Sequence, residues 1–439
     1  MMVSGKIRFK PASSSLCSAL QQEWRLPVQF RRVQKVASMT DFDRTRALFH
    51  MPRGVIYLDG NSLGPLPLAA AERVASLMTN QWGEMLIRGW NQAGWMNMPR
   101  RIGDRIGRLI GAPEGTVVMG DTLSIKVYQG LASAIQLAAE ADPKRRVILS
   151  DSGNFPSDLY IAEGLIGALD RGYHLKVVEP QAVEAAIDDS VAVLMLTEVD
   201  YRTGRLHDMK ALTAKAHQAG ALAVWDLAHS AGALPVDLAG ADADFAVGCT
   251  YKYLNGGPGA PAFIYVAPRH LDSVRPALSG WLGHEKPFAF DLGYRPGDGI
   301  DRMRVGTPPV IALAALDAAL DAWDAVDMTD VRARSIALSD LFIAEVERRC
   351  PSLTLGSPRD GVSRGSQVSF LHEEGYAIMQ ALISRGVIGD FRAPNAIRFG
   401  FTPLYIGERE VLAAVDILSD IMDKRLWDVA QFKQKALVT

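Results

Sequence analysis

The chain has 439 residues, of which 48% are hydrophobic and 22% charged, with a formal net charge of -2. That length exceeds one ordinary hydrophobic core and predicts two domains, while the near-neutral balance gives no reason to invoke nucleic acid. No apolar run is long enough to cross a bilayer, Cys17, Cys249 and Cys350 lack metal-ligand spacing and suit a reducing compartment, and the histidines include no paired helical metal motif, so no metal is expected.

In chain order, residues 1–38 carry Lys6, Arg8, Lys10, Arg25, Arg31, Arg32 and Lys35 against Glu23 alone, and are rich in serine. That is the profile of an organelle transit peptide. Without a sustained amphipathic pattern, the segment reads better as a disordered or misassigned extension, with Met39-Thr40-Asp41-Phe42 as the natural beginning. Residues 39–85 follow as an N-terminal arm. A short strand is predicted over 116–120, and Asp121-Thr122-Leu123-Ser124 then leads into an apolar-periodic segment, predicted helical, over 125–139. Free amides and a hydroxyl at a helix start make an anion pocket, although an ordinary N-cap looks similar.

Further strands are predicted at 147–150, 175–179, 191–197, 222–226, 244–248 and 262–266, with helical stretches between most of them, which predicts a mainly parallel sheet covered on both faces. After the first of these comes Asp151-Ser152-Gly153-Asn154-Phe155-Pro156-Ser157-Asp158. Phe155 is placed to stack on a flat heteroaromatic ring, and Ser157 and Asp158 either reach polar atoms or cap the next helix. The strand at 222–226 ends in Asp226 with His229 three residues on, where an open α/β sheet holds its ligand. A carboxylate there can keep a pyridinium nitrogen protonated, as pyridoxal phosphate requires; taken singly, Asp226 could be a helix N-cap and His229 a core histidine.

The run Tyr251-Lys252-Tyr253-Leu254-Asn255-Gly256-Gly257-Pro258-Gly259 sets one lysine between aromatics, after an apolar strand and before a glycine-rich turn. A partly desolvated amine in such a place is a usable nucleophile for a Schiff base with a bound aldehyde. Beyond Pro309 a long Ala-, Leu- and Asp-rich helical region is predicted over 310–349, leading to a smaller α+β domain with strands at 367–371 and 396–400 flanking a helix at 376–385. The expected division is therefore 86–309 for the large domain and 310–439 for the small one.

From about Met39 to the C-terminus the chain resembles the kynureninases, within the class V branch of the pyridoxal-phosphate enzymes of the aspartate aminotransferase superfamily. The residues that carry the resemblance are Tyr57-Leu58-Asp59-Gly60-Asn61-Ser62-Leu63-Gly64, the 155–158 loop, Asp226-Leu227-Ala228-His229-Ser230, the Lys252 run, Gly280-Trp281-Leu282-Gly283-His284, Gly306-Thr307-Pro308-Pro309, and Ile397-Arg398 with Thr402-Pro403-Leu404-Tyr405. The resemblance implies the type I fold, pyridoxal 5'-phosphate as cofactor, and hydrolysis of L-kynurenine, or its 3-hydroxy form, to anthranilate or 3-hydroxyanthranilate and L-alanine. It assigns Lys252 to the cofactor imine, Leu123 and Ser124 to the phosphate, Phe155, Pro156, Ser157 and Asp158 to the cofactor lining, and Thr197, Asp226, His229 and Tyr251 to the groups around the ring. Trp281 and Thr307 would complete that site across a homodimer interface. Arg398 would hold the substrate α-carboxylate with a bidentate guanidinium, with Ser62 near that end and Trp90 as a wall of the aryl slot. Lys252, Tyr251 and Asp226 are the expected catalytic groups, and the cytoplasm the expected compartment.

The same scaffold also serves cysteine desulfurases, selenocysteine lyases and aminotransferases, and a non-catalytic cofactor-binding regulator is the alternative of another class. A desulfurase needs a mobile thiol, and neither Cys249, in the strand before Lys252, nor Cys350, at a helix end before Pro351, is placed to be one.

Overall fold

Runs of β-branched and aliphatic residues buried on both faces make up the centre of the protein. The computed structural model describes residues 40–435. Val117–Met119, Phe263–Val266, Phe245–Gly248, Leu222–Asp226, Val191–Thr197, Val147–Asp151 and His174–Val178 lie side by side, in that order, in one seven-stranded sheet. The last five are mutually parallel; Phe263–Val266 is antiparallel to both of its neighbours. Alternate residues point to opposite faces. Val193, Met195 and Val224 pack with the helix Leu123–Ala141, whereas Leu194, Leu196 and Trp225 pack into the other core with Leu212 and Ala216 of the helix Met209–Ala219. Trp225 is fully buried and its indole donates to Thr213 Oγ1 at 3.0 Å, so the one polar atom it takes inside is satisfied.

A second, antiparallel sheet orders Asp390–Arg392, Ala396–Gly400, Gln367–Leu371 and Thr354–Leu355, with the helices Met328–Arg349, Gly375–Ser384 and Glu408–Asp423 in the same part of the chain. The short strand Ile56–Tyr57 pairs in parallel with Val387–Ile388. That pairing carries the segment 57–64 from the start of the chain to the neighbourhood of both sheets. Gly64 makes the closest approach: its amide donates to the Tyr251 carbonyl at 2.8 Å, and a Cβ there would meet the Lys252 carbonyl oxygen at 2.5 Å. Only glycine lets the arm lie against the lysine turn.

The strands expected at 191–197, 222–226, 367–371 and 396–400 have those bounds, and the others differ by a residue or two. The helical region expected over 310–349 is not continuous. It breaks into Val310–Ala319, a tight turn Leu320–Trp323, and Met328–Arg349, because Asp327 leaves the helical conformation and its carboxylate caps the Thr329 amide at 2.7 Å. The basic extension over 1–38 lies outside the described residues. Among those described, no helix is long and apolar enough to cross a membrane.

Candidate active site

Thr197 and Asp226 are register partners at the ends of adjacent parallel strands, and the loops after Met119, Asp151 and Gly248 leave the sheet at the same edge. The arrangement of strand ends therefore gathers the expected residues. Asp226 is not a helix cap: its Oδ1 accepts the Ala228 amide at 2.8 Å within a turn. Asp158, in the first turn of the helix Pro156–Leu169, is buried against it, and the two carboxyls share a hydrogen bond. Burial raises both, to about 6 for Asp226, where the Lys252 charge opposes it. For Asp158 the repulsion from Asp226 adds to burial and holds it well above the usual range, so the shared proton belongs to Asp158 and the anion is Asp226.

Lys252 Nζ lies 3.0 Å from His229 Nε2, 6.0 Å from the centre of the Phe155 ring and 5.8 Å from that of Tyr251. The tautomer of His229 follows from its other neighbour. Gln367 Nε2 donates to the carbonyls of Asp200 and Tyr201 at 3.0 and 2.9 Å, which turns its Oε1 toward His229 Nδ1 at 2.8 Å. Nδ1 must then carry the hydrogen, leaving the Nε2 lone pair to accept from Lys252. Burial, with the charges of Lys252 and Arg398, pushes the imidazole well below its ordinary value, so it is neutral. Burial likewise raises the Tyr251 phenol, with Cys249 adding to the effect, and keeps it protonated. Phe155 is held edge-on to Tyr201, with ring centres 5.1 Å apart.

Beside this cluster, Thr122 starts the helix Leu123–Ala141 without using its side chain as a cap, so the first amides keep their hydrogens free. The hydroxyls of Ser124 and Ser157 meet there at 3.0 Å. Thr197 Oγ1 donates to the Val199 carbonyl at 3.2 Å.

The other end of the site comes from the second sheet. Asp390 and Arg398 are opposite one another across an antiparallel pair, and Arg392, two residues on from Asp390, shares their face. Arg398 is fully buried. Its Nε donates to Asp390 Oδ1 at 2.8 Å, Nη2 to Asp390 Oδ2 and to Ser62 Oγ at 2.9 Å, and Nη1 to the Tyr201 carbonyl. The fork expected to grip a carboxylate ligand is thus already closed on Asp390, and a single Nη1 hydrogen is left over. Burial works against the Asp390 charge, but Arg398 and Arg392 prevail and hold it below the usual range. Asp59, beside it, goes the other way, to about 7, through burial and the Asp390 charge.

Trp90, Trp281 and Thr307 are not part of this cluster within one chain. They line a separate cavity of about 490 Å³ with Ile87, Met96 and Phe288, and Trp90 and Thr307 also border a broad apolar groove of about 1150 Å³. Trp281 is 44% exposed and meets Phe288 edge-on. The reading of the sequence missed Gln367, Asp59, Asp390 and Arg392. A polar residue opening the apolar strand at 367–371, and Asp390 and Arg392 at alternate positions ahead of Arg398, were the available signals.

The fold is shared with enzymes built around pyridoxal phosphate. A cysteine desulfurase from Thermococcus onnurineus NA1 superposes with a TM-score of 0.74 at 19% identity, covering 88% of this chain and all of that one. C-DES with glycine covalently linked to its PLP cofactor superposes with a TM-score of 0.73 at 16% identity, over 85% of this chain and 99% of that one. Within that class, a model of the kynureninase C-terminal domain matches residues 331–418. Kynureninase of Pseudomonas fluorescens is 53% identical over 397 residues, 90% of this chain and 95% of the relative, and kynureninase of Burkholderia pseudomallei strain 1106a is 52% identical over the same shares. The chain belongs to the kynureninase family.

Proposed function

We propose that this protein is a pyridoxal-phosphate-dependent kynureninase that hydrolyses L-kynurenine to anthranilate and L-alanine. The observation that carries the reading is a lysine amine set between Phe155 and Tyr251 and facing a neutral histidine, on the same strand-end cluster as a buried carboxylate pair. The residues fit the cofactor at each of its polar ends. The uncapped helix start, with Leu123, Ser124 and Ser157, suits a phosphate; Phe155, Pro156, Asp158, Thr197 and His229 border a flat ring; and Asp226 is the anion for a protonated ring nitrogen. When bound, pyridoxal phosphate supplies an electrophilic aldehyde carbon and a ring that takes up an electron pair.

Lys252 Nζ would hold the cofactor through its aldehyde carbon, and its free amine would be the base for the Cα proton of the substrate. His229 Nε2 accepts from the amine and fixes its direction. Asp226 remains anionic because Asp158 holds the pair's proton. A water molecule adds to the γ-carbonyl, and collapse of the hydrate breaks the bond between Cβ and Cγ; the Tyr251 phenol, kept protonated by burial, is the proton donor at that end. Arg398 and Ser62 serve the α-carboxylate, and Trp90, which shares its cavity with Trp281 and Thr307, walls the aryl slot from a second copy of the chain. Trp281 and Thr307 complete the site from a second copy in a homodimer, which accounts for their apolar cavity and the exposed Trp281. Residues 86–309 and 310–439 act as large and small domains, and the enzyme works in the cytoplasm, in tryptophan breakdown.

A desulfurase reading gains nothing from the thiols among the described residues. Cys249 and Cys350 are both buried, and burial raises both, to about 11 for Cys350. Product analysis with kynurenine and 3-hydroxykynurenine side by side tests the proposal. Anthranilate and alanine are expected from kynurenine; amino exchange with a keto acid, or no turnover of either substrate, would overturn it.

A further inference from the structure

Behind the helix start that suits the cofactor phosphate lies a buried charge that none of the steps above uses. Lys126, the fourth residue of the helix Leu123–Ala141, is fully buried. Its Nζ donates to Asp121 Oδ2 at 3.1 Å, to Gln129 Oε1 at 2.9 Å and to the Met303 carbonyl at 3.4 Å. Gln129 has a fixed sense, because its Nε2 donates to the same carbonyl at 3.1 Å and so turns Oε1 to the amine. All three partners are acceptors, so the nitrogen keeps three hydrogens and its charge; burial works against that charge and Asp121 sustains it. A cation in the first turn also opposes the helix dipole, so helix stability does not explain the residue.

What the ammonium holds is the turn in front of the helix. Asp121 has φ +56°, a left-handed conformation that side chains disfavour, and its carbonyl accepts the Ala262 amide at 3.0 Å. The amine sits directly under that turn: a Cβ built on Gly120 would be 3.7 Å from Lys126 Nζ. Its contact with Asp121 therefore fixes the residue from which Thr122, Leu123 and Ser124 lead into the helix, while the fully buried Met303 anchors it from a distant segment. The ammonium and the helix start are two positive centres against the one carboxylate of Asp121, and a phosphate anion is their complement. We propose that Lys126 is a positioning residue for the cofactor phosphate: by holding Asp121 it sets the left-handed turn that aims the helix-start amides and the Ser124 hydroxyl, and its charge behind the turn favours the anion.

The inference rests on the phosphate lying at this helix start, as proposed above, and not on the substrate, so cofactor binding decides it without kynurenine. The full chain freed of cofactor, unaltered and as Lys126→Met, Asp121→Ala and Asp121→Asn, is titrated with pyridoxal phosphate and with pyridoxal, which keeps the aldehyde and lacks the phosphate, following the cofactor absorbance. In Lys126→Met and Asp121→Ala the Kd of pyridoxal phosphate is expected to rise about tenfold or more, with that of pyridoxal changing less than about threefold. Asp121→Asn, which tolerates positive φ and keeps an acceptor oxygen, recovers part of the loss, and the double variant of Lys126→Met with Asp121→Ala is little worse than either alone. A lost preference for the phosphorylated form supports the assignment even if kynurenine is not hydrolysed. Equal rises for both ligands would mark a purely structural residue and overturn it, as would a pyridoxal phosphate Kd within about twofold of the unaltered protein. If Lys126→Met does not fold, Asp121→Ala, at a side chain partly open to solvent, decides by the same criteria.

Discussion

At the lysine end of the site, Asp226, His229 and Lys252 lie within a short stretch of chain, on loops leaving one edge of one sheet; at the arginine end, Ser62 and Asp390 meet across 328 residues, joined only by the second sheet and the N-terminal arm. Each end brings two carboxyls together. Beside the Asp158–Asp226 pair the cation is a single ammonium, and both acids are raised. Beside Asp59 and Asp390 there are two guanidiniums, and one acid is pulled down while the other rises. The same device thus gives a proton-holding pair in one place and an ion-paired anchor with one neutral neighbour in the other, according to how many fixed cations face it.

The sharpest break at the lysine end is Lys252→Ala, expected to lower kcat by about four orders of magnitude and to abolish the absorption band of the bound cofactor. Asp226→Asn should cost about 10³-fold in kcat, whereas Asp158→Asn should cost less than about tenfold, because an amide can replace the neutral donor but not the anion. Equal losses in steady-state kinetics would show that the proton is not assigned to Asp158. At the arginine end, Arg398→Ala removes one partner of a buried pair. It should destabilise the fold by about 3–5 kcal/mol in denaturant melts and weaken substrate binding more than cofactor retention.

A smaller effect comes from pH. Below about 7 Asp59 is neutral and the arginine end carries a net positive charge; as the pH rises through that value Asp59 ionises and the charge cancels. KM is therefore expected to rise several-fold from pH 6 to pH 8 with kcat less affected, and Asp59→Asn should remove that limb. Smallest of all, Glu198 belongs to neither pair and is raised to about 7 by burial. A raised acid stabilises the fold below its unfolded pKa and loses that contribution as the pH climbs through the folded one. Glu198→Gln should accordingly raise Tm at pH 8 by about 2 °C or more and leave it nearly unchanged at pH 5, as a melting series would record.

The lysine end was legible because its signals are local. A strand, a carboxylate, an imidazole three residues on, and a lysine before a glycine-rich turn are all close in the chain, and the apolar runs at 191–197 and 222–226 set the bounds of their strands by composition alone. Gln367 could not be found that way. Its role depends on two carbonyls, of Asp200 and Tyr201, that aim its amide at His229 from another sheet.

By itself, then, the order of residues determined the parallel sheet, the place of Lys252 and Asp226 at its edge, and membership of a family of amino-acid enzymes, since each rests on periodicity or on neighbours in the chain. Only the tertiary structure decided which carboxyl of each pair keeps the proton, which tautomer His229 adopts, and that Arg398 is clamped by Asp390. Those outcomes depend on burial and on charges brought together from distant segments.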